Sequence, residues 1–308
     1  MFHDGYLEGI KSKIAIVTYD KNTFIYTLIN KKGIKVINVY KKANSLLRIL
    51  RRVHSKMKLP LINIWLNNEL KKLKNFEIII IFDATLTDSF IKQMKKDLPN
   101  KRFIFWYWNP VRSSVKPELL PDDICEKWSY SPKDCEKYHL HHNTTFYFNE
   151  ICSKDTTIKY DIFFIGTDKG RLDSLLALEK QFAEMKLQTY FHITPTRWFM
   201  LKRNSIYKKH LSYDDVLVEL GKSKAILDFL CDTNDGLSIR PMESIFFKKK
   251  LITNSQLIAD YDFYRPQNIF ILGLDDLSDL PKFLNSPYEE VDKEIIKKYD
   301  FEHWLKRF

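Results

Sequence analysis

Short apolar runs separated by helix-length segments, in two successive series, constrain this chain more than any other feature. In the first half, residues 13–18, 34–39, 77–82 and 102–107 are rich in β-branched or aromatic side chains, which predicts buried strands. Residues 22–31, 43–58, 66–74 and 87–97 between them have helical spacing or composition. Strands alternating with helices predict a parallel sheet covered on both faces, and less regular segments at 127–130 and 145–148 are expected to complete it. The alternation restarts near Tyr160. Residues 160–166, 188–193, 224–229, 251–253 and 268–272 read as strands. Residues 171–185 read as a helix with Leu172, Leu175, Leu176, Leu178 and Phe182 on one face, and Ser212 with Asp215 as a capping box. Residues 153–159 are polar and patternless, so a boundary is expected there: a first domain over 1–157 and a second over 158–287. A tail over 288–308 follows Pro281 and Pro287; its Tyr299, Phe301, Trp304 and Phe308 need a surface to cover.

The 308 residues suffice for two domains with separate cores, and 44% hydrophobic with 14% aromatic content excludes a disordered chain. The longest aliphatic run, Ile78 to Ile81, is far short of a bilayer span, and Lys11 and Lys13 interrupt any signal-peptide pattern. Cys125, Cys135, Cys152 and Cys231 show no CxxC spacing, so reduced thiols and a cytoplasmic location are expected. Charge divides unevenly. Residues 1–155 hold 27 Lys and Arg against 16 Asp and Glu, whereas residues 156–308 hold 23 of each. Nucleic acid, an acidic membrane surface or a phosphorylated acceptor would each match that excess. Within it, residues 41–58 interleave Leu46, Leu47, Ile49, Leu50, Val53 and Met57 with Arg48, Arg51, Arg52, Lys56 and Lys58. The pattern suits the headgroup region of an anionic bilayer and equally a sheet-covering helix with a solvated basic face.

Chemistry concentrates in the second half. In residues 235–253, Asp235 opens a Gly-containing loop, Glu243 stands eight residues later at a helix start, and a short apolar strand closes the unit. Backbone N–H groups and Arg240 can approach a diphosphate there, and an ionised carboxylate such as Glu243 can accept both hydrogen bonds of a ribose diol. This segment resembles the acid-x7-acid region of group 1 glycosyltransferases. Asp235 lies on the family's first Glu, Gly236 on the following Gly, and Glu243 on the second Glu. The chain departs from the family at Asp235 itself, at Ser238 in place of a second Gly, and at Lys248 and Lys249 in place of a small turn. The resemblance implies a GT-B fold, with two Rossmann-like domains facing across a cleft and the tail packing back across the first. It implies nucleotide binding by the second domain, and leaves open whether the anomeric configuration is kept.

A second candidate follows the strand at 160–166, where open α/β sheets bind ligands. Gly166 and Gly170 permit close backbone approach, and Lys169 and Arg171 could neutralise a departing nucleoside diphosphate. The stretch also resembles the family's Gly-and-basic turn. In the first half, Asp20 and Asp83 follow the first and third strands and are the candidates for a general base; each could equally cap a helix. Trp108 could stack on an acceptor sugar. His139, His141 and His142 lack converging ligands, and the Asp260 and Asp262 pair lies too late in the chain for a metal motif, so no metal and no cofactor are expected. The reading is a glycosyltransferase moving a sugar from a nucleotide sugar to a glycan hydroxyl. The resemblance is to cytoplasmic bacterial enzymes of capsular or lipopolysaccharide oligosaccharide synthesis, whose glycan acceptors are often lipid-linked. The alternatives are a non-catalytic nucleotide-sugar binder on the same fold and, last, a basic nucleic-acid-binding protein, for which only charge speaks.

Overall fold

The computed structural model describes residues 9–19, 23–57, 59, 61–83, 88–151, 157–202, 204–233 and 235–308. The chain divides into two compact units, Met1–His142 and Asn143–Phe308. The first contains strands β1 (Ile14–Thr18), β2 (Lys35–Asn38), β3 (Ile78–Phe82), β4 (Arg102–Tyr107), β5 (Glu126–Ser129) and β6 (His141–His142). They lie in the order β2-β1-β3-β4-β5-β6, every neighbour parallel. Helices α1 (Phe24–Lys31), α2 (Ser45–Lys56), α3 (Asp88–Asp97) and α4 (Pro132–Tyr138) belong to the same unit. β1 is buried along its whole length, as a strand covered on both faces must be. Residues 66–74, expected as a helix, form a 3-10 helix over Asn68–Asn75, started by Asn67, whose side chain accepts from the Glu69 amide.

The second unit contains β7 (Tyr160–Thr167), β8 (Thr189–Thr194), β9 (Ser223–Asp228), β10 (Lys250–Thr253) and β11 (Ile269–Ile271). Their order is β11-β10-β9-β7-β8, again all parallel. Helices α5 (Leu172–Glu184), α6 (Tyr213–Gly221) and α7 (Ile239–Phe247) follow β7, precede β9 and precede β10 respectively. The Ser212 hydroxyl caps α6 by accepting from the Asp215 amide at 3.2 Å, as its spacing predicts. Both units are therefore Rossmann-like α/β layers. In each, the second strand lies on one side of the first and the third on the other, so the chain reverses direction across β1/β3 and β7/β9. Crevices at the carboxyl ends of such strand pairs are where open sheets bind ligands.

Residues 145–148 do not extend the first sheet. Tyr147 instead bridges Asp300 in parallel register, its amide donating to the Tyr299 carbonyl at 2.8 Å and its carbonyl accepting from the Phe301 amide at 2.8 Å. Aromatic burial explains the choice: Phe146 packs on Trp304 at 4.5 Å and Phe148 stacks on Phe301 at 5.3 Å. Helix α8 (Leu280–Asn285) closes the second unit's core, and the tail after it comprises α9 (Lys293–Lys298) and α10 (Phe301–Leu305). It docks on residues 143–149, which cluster with the second unit although the sequence places them before the expected boundary at 157.

Candidate functional site

At the carboxyl end of β7 the chain turns through Lys169 and Gly170, both at positive φ (50° and 87°), into α5. Glycine takes that conformation without a Cβ penalty. Asp168 organises the turn: its Oδ1 accepts from the Gly170 and Leu172 amides at 3.0 and 2.9 Å, and its Oδ2 accepts from the Tyr207 hydroxyl at 2.8 Å. The Lys169 amide donates to Thr196 Oγ1 at 2.8 Å and the Arg171 amide to the Asp168 carbonyl at 3.0 Å. The helix-start amides thus already face a carboxylate and a hydroxyl. What the turn offers an anion is side-chain charge.

Arg171 supplies it. Its guanidinium lies 5.4 Å from the Phe164 ring centre, and Nη2 donates to the Thr167 carbonyl at 3.1 Å. Nε is buried and has no hydrogen-bond partner among the described residues. Burial holds the Arg171 pKa below its ordinary value, against the pull of Cys231, Asp228 and Asp168. Gly166 makes room for this side chain, since a Cβ there would stand 3.0 Å from Arg171 Nη2 and 3.1 Å from the Phe164 ring.

The neighbouring strand delivers the second half. β9 ends at Asp228, a buried carboxylate that accepts from the Ser238 hydroxyl at 3.0 Å. Ser238 caps α7 in turn, accepting from the Arg240 amide at 3.1 Å. Burial pushes the Asp228 pKa up to about 6, opposed by Ser238 and by the Arg240 and Arg171 cations. Arg240 pairs through Nη1 with Glu243 Oε2, and its Nη2 donates to the Ile165 carbonyl at 3.3 Å. Burial would lower the Arg240 pKa, yet Glu243, Tyr213 and Asp228 outweigh it and leave it above the ordinary value. The two guanidinium groups therefore bond to alternate carbonyls of β7, Ile165 and Thr167, with Asp228 between them in charge.

Glu243 is 0% exposed. Its Oε1 accepts from the Tyr213 hydroxyl at 2.6 Å, and Tyr213 in turn meets the Tyr147 hydroxyl at 2.5 Å. Burial and the Glu243 charge raise the pKa of both tyrosines, keeping them as donors. The two oxygens expected to face a ribose diol are both engaged inside the protein. Asp235 and Gly236 lie on the loop from β9 to α7, Asp235 donating its amide to the Asp232 carbonyl at 3.2 Å. The Leu237 carbonyl on the same loop accepts from Thr145 Oγ1 at 2.6 Å. Of the expected donor residues, Gly166, Arg171, Arg240 and Glu243 converge through shared contacts; Lys169 joins at the turn, where the Cys231 thiol approaches its carbonyl at 3.9 Å. A cavity of about 430 Å³ opens beside the turn, lined by Asp168, Gly170, Thr196, Arg197, Met200 and Tyr207. A larger one of about 500 Å³ in the first unit is lined by Leu66, Leu70, Lys71, Lys74, Met94 and Leu98, where α3 ends.

In the first unit Asp83 follows β3 directly and is buried. Burial raises its pKa, while hydrogen bonds from Ser114 and Asn109 oppose the rise; Asn109 Nδ2 donates to Oδ2 at 3.4 Å. Asp20 lies outside the described residues. Trp108 packs 5.6 Å from Phe82. His141 stacks on Trp128 at 4.7 Å, and His139 ends α4 in the left-handed conformation. Among the described residues no group of three His, Cys, Asp or Glu side chains is placed to hold a metal ion. Asp262 binds the tail, accepting from Tyr299 and Lys298 at 2.7 Å each. Sequence reasoning misses Asp228, Tyr213 and Asp168. The one signal for Asp228 is an acidic residue within an otherwise apolar strand, which the structure ends at that residue rather than at Phe229.

No protein-family model matches the sequence, and no curated protein matches it. Among solved structures the chain is similar to TarM, with 14% identity, a TM-score of 0.49, and coverage of 77% of this chain and 55% of that one. This chain thus spans little more than half of TarM's length. A likeness of that size adds nothing to what the strand order and side chains establish.

Proposed function

We propose that the protein is a glycosyltransferase that moves a sugar from a nucleotide-sugar donor to a glycan hydroxyl. One observation carries the reading: two guanidinium groups, Arg171 and Arg240, bond to carbonyls at the carboxyl end of β7, and Arg171 retains a buried Nε without a hydrogen-bond partner among the described residues. A diphosphate leaving group gains negative charge as its bond to the sugar breaks, and preorganised cations stabilise that charge. In this reading Arg171 and Lys169 receive the diphosphate, Arg240 backs them, and Glu243 acts as a positioning residue that holds Arg240. Asp235 and Gly236 border the sugar and nucleoside. Asp83, made more basic by burial, takes the acceptor proton if transfer inverts the anomeric centre. The finer reading, a lipid-linked acceptor of capsular or lipopolysaccharide synthesis on the cytoplasmic side, rests on the likeness of residues 235–253 to group 1 enzymes.

The test is calorimetric titration with UDP, GDP, dTDP and CMP and with their sugar conjugates. One nucleotide series is expected to bind, and Arg171→Ala to weaken it tenfold or more, about 1.4 kcal/mol. Absence of binding across the panel, or equal affinity in a folded Arg171→Ala protein, sinks the proposal. Turnover of the bound conjugate separates a transferase from a non-catalytic binder.

A further inference from the structure

Helix α2 sits on the first unit with an arginine turned inward and its leucines outward. Arg51 is only 5% exposed. Its guanidinium lies 4.1 Å from the Tyr40 ring centre and 5.3 Å from that of Tyr19, and Nη2 donates to the Tyr19 hydroxyl at 2.7 Å. His54 adds an edge contact with Trp65 at 6.0 Å. By contrast Leu46 is 65% exposed, Ile49 55%, Leu50 49% and Val53 48%. Met57, Leu61 and Ile64, after the helix, are exposed as well. At about 100° per residue, Leu46, Ile49, Leu50 and Val53 share an arc roughly 100° wide, and exposed Arg52 and Arg48 follow along one side of it.

An apolar helix face in water is costly, and a contiguous one marks an interaction surface. The cations beside it select the occupant. A symmetric pair of copies would set the same patch against itself and bring Arg48 and Arg52 near their own equivalents. An anionic bilayer satisfies both halves, since the apolar arc enters the acyl boundary while the guanidinium groups reach lipid phosphates. The excess of 26 cationic over 14 acidic side chains in residues 1–142 draws the same unit toward such a surface. We infer that α2 and the segment after it dock the protein on an anionic lipid surface. Arg51 acts as the internal anchor that holds the apolar face outward. The inference does not depend on the sugar-transfer reading.

Flotation of the full chain with phosphatidylcholine vesicles, with and without phosphatidylglycerol, tests it. Binding is expected only to the phosphatidylglycerol vesicles and is expected to weaken with salt. Leu50→Glu with Val53→Glu should abolish it, and Arg48→Ser with Arg52→Ser should reduce it by more than about tenfold. Circular dichroism verifies folding of each variant, and the arginine pair keeps the test decisive if the glutamate pair misfolds. A wild-type protein that ignores anionic vesicles, or binds neutral ones as well, overturns the inference. So does a folded glutamate variant that floats undiminished. Light scattering that shows a dimer, dissociated by the same glutamates, gives the face to a second copy and overturns it too.

Discussion

At Glu243 a carboxylate with no exposed surface lies between the Tyr213 hydroxyl and the Arg240 guanidinium. Removing one partner of a buried pair leaves the other charge uncompensated, so Glu243→Gln is expected to cost about 3 kcal/mol or more in urea denaturation. Tyr213→Phe removes the donor to Glu243 and the acceptor of the Tyr147 hydroxyl, and should cost about 1–3 kcal/mol. If Glu243→Gln leaves stability unchanged, the pair is not the structural unit described. Asp228 carries the pH dependence. Its pKa of about 6 in the folded chain stands above the ordinary 3.8. Between those values the unfolded chain releases a proton that the folded chain keeps. This group's contribution to stability is therefore complete below pH 4 and lost as pH rises toward 6, on the order of 3 kcal/mol. Asp228→Asn should gain on wild type across that interval in thermal melts; a constant difference would remove the assignment. The neutral form also leaves both arginines less compensated, so wild-type nucleoside diphosphate affinity should rise relative to Asp228→Asn as pH falls through 6. The comparison of the two proteins is needed because the terminal phosphate titrates in the same range. None of this was legible beforehand. The sequence marked Glu243 and Arg240 by spacing, but spacing does not show that a tyrosine 30 residues earlier closes over them.

The turn from β7 into α5 shows the same limit for an element. Two glycines and two cations after a strand predicted a phosphate-binding turn, and the element stands where expected, over Leu172–Glu184. Its amides, however, are taken by Asp168 and Thr196. Asp168→Ala removes acceptors from two amides and from the Tyr207 hydroxyl, and is expected to cost about 2–4 kcal/mol in chemical denaturation. A loss below about 0.5 kcal/mol would mean that the turn holds without it. In α2 the periodicity was legible and the buried side was not. Apolar residues normally face the core, and Arg51 reverses that through Tyr19 and Tyr40, 32 and 11 positions earlier in the chain. Helix α4 went unread, although Ser131 with Pro132 and Asp134 is a helix-start pattern that the structure uses, Ser131 accepting from the Asp134 amide at 3.2 Å.

For the whole molecule, the tail supplies the clearest test of integration. Trp304 is fully buried against Phe146, Phe301 and Phe308. Trp304→Ala is expected to cost about 3–5 kcal/mol, read in thermal unfolding as a lower midpoint for the second unit. An unchanged midpoint would show that the tail is an appendage. The two α/β units and nearly every strand were determined by the sequence itself. Strand and helix periodicities are local, and a run such as Ile78 to Phe82 can satisfy burial on both faces only inside a parallel sheet. Three outcomes were decided by tertiary structure alone: the division at His142, the inward turn of the α5 amides, and the closure of Tyr213 and Arg240 over Glu243. Each depends on contacts between residues distant in the chain, where one buried hydrogen bond or aromatic pair outweighs a local preference of a few tenths of a kcal/mol.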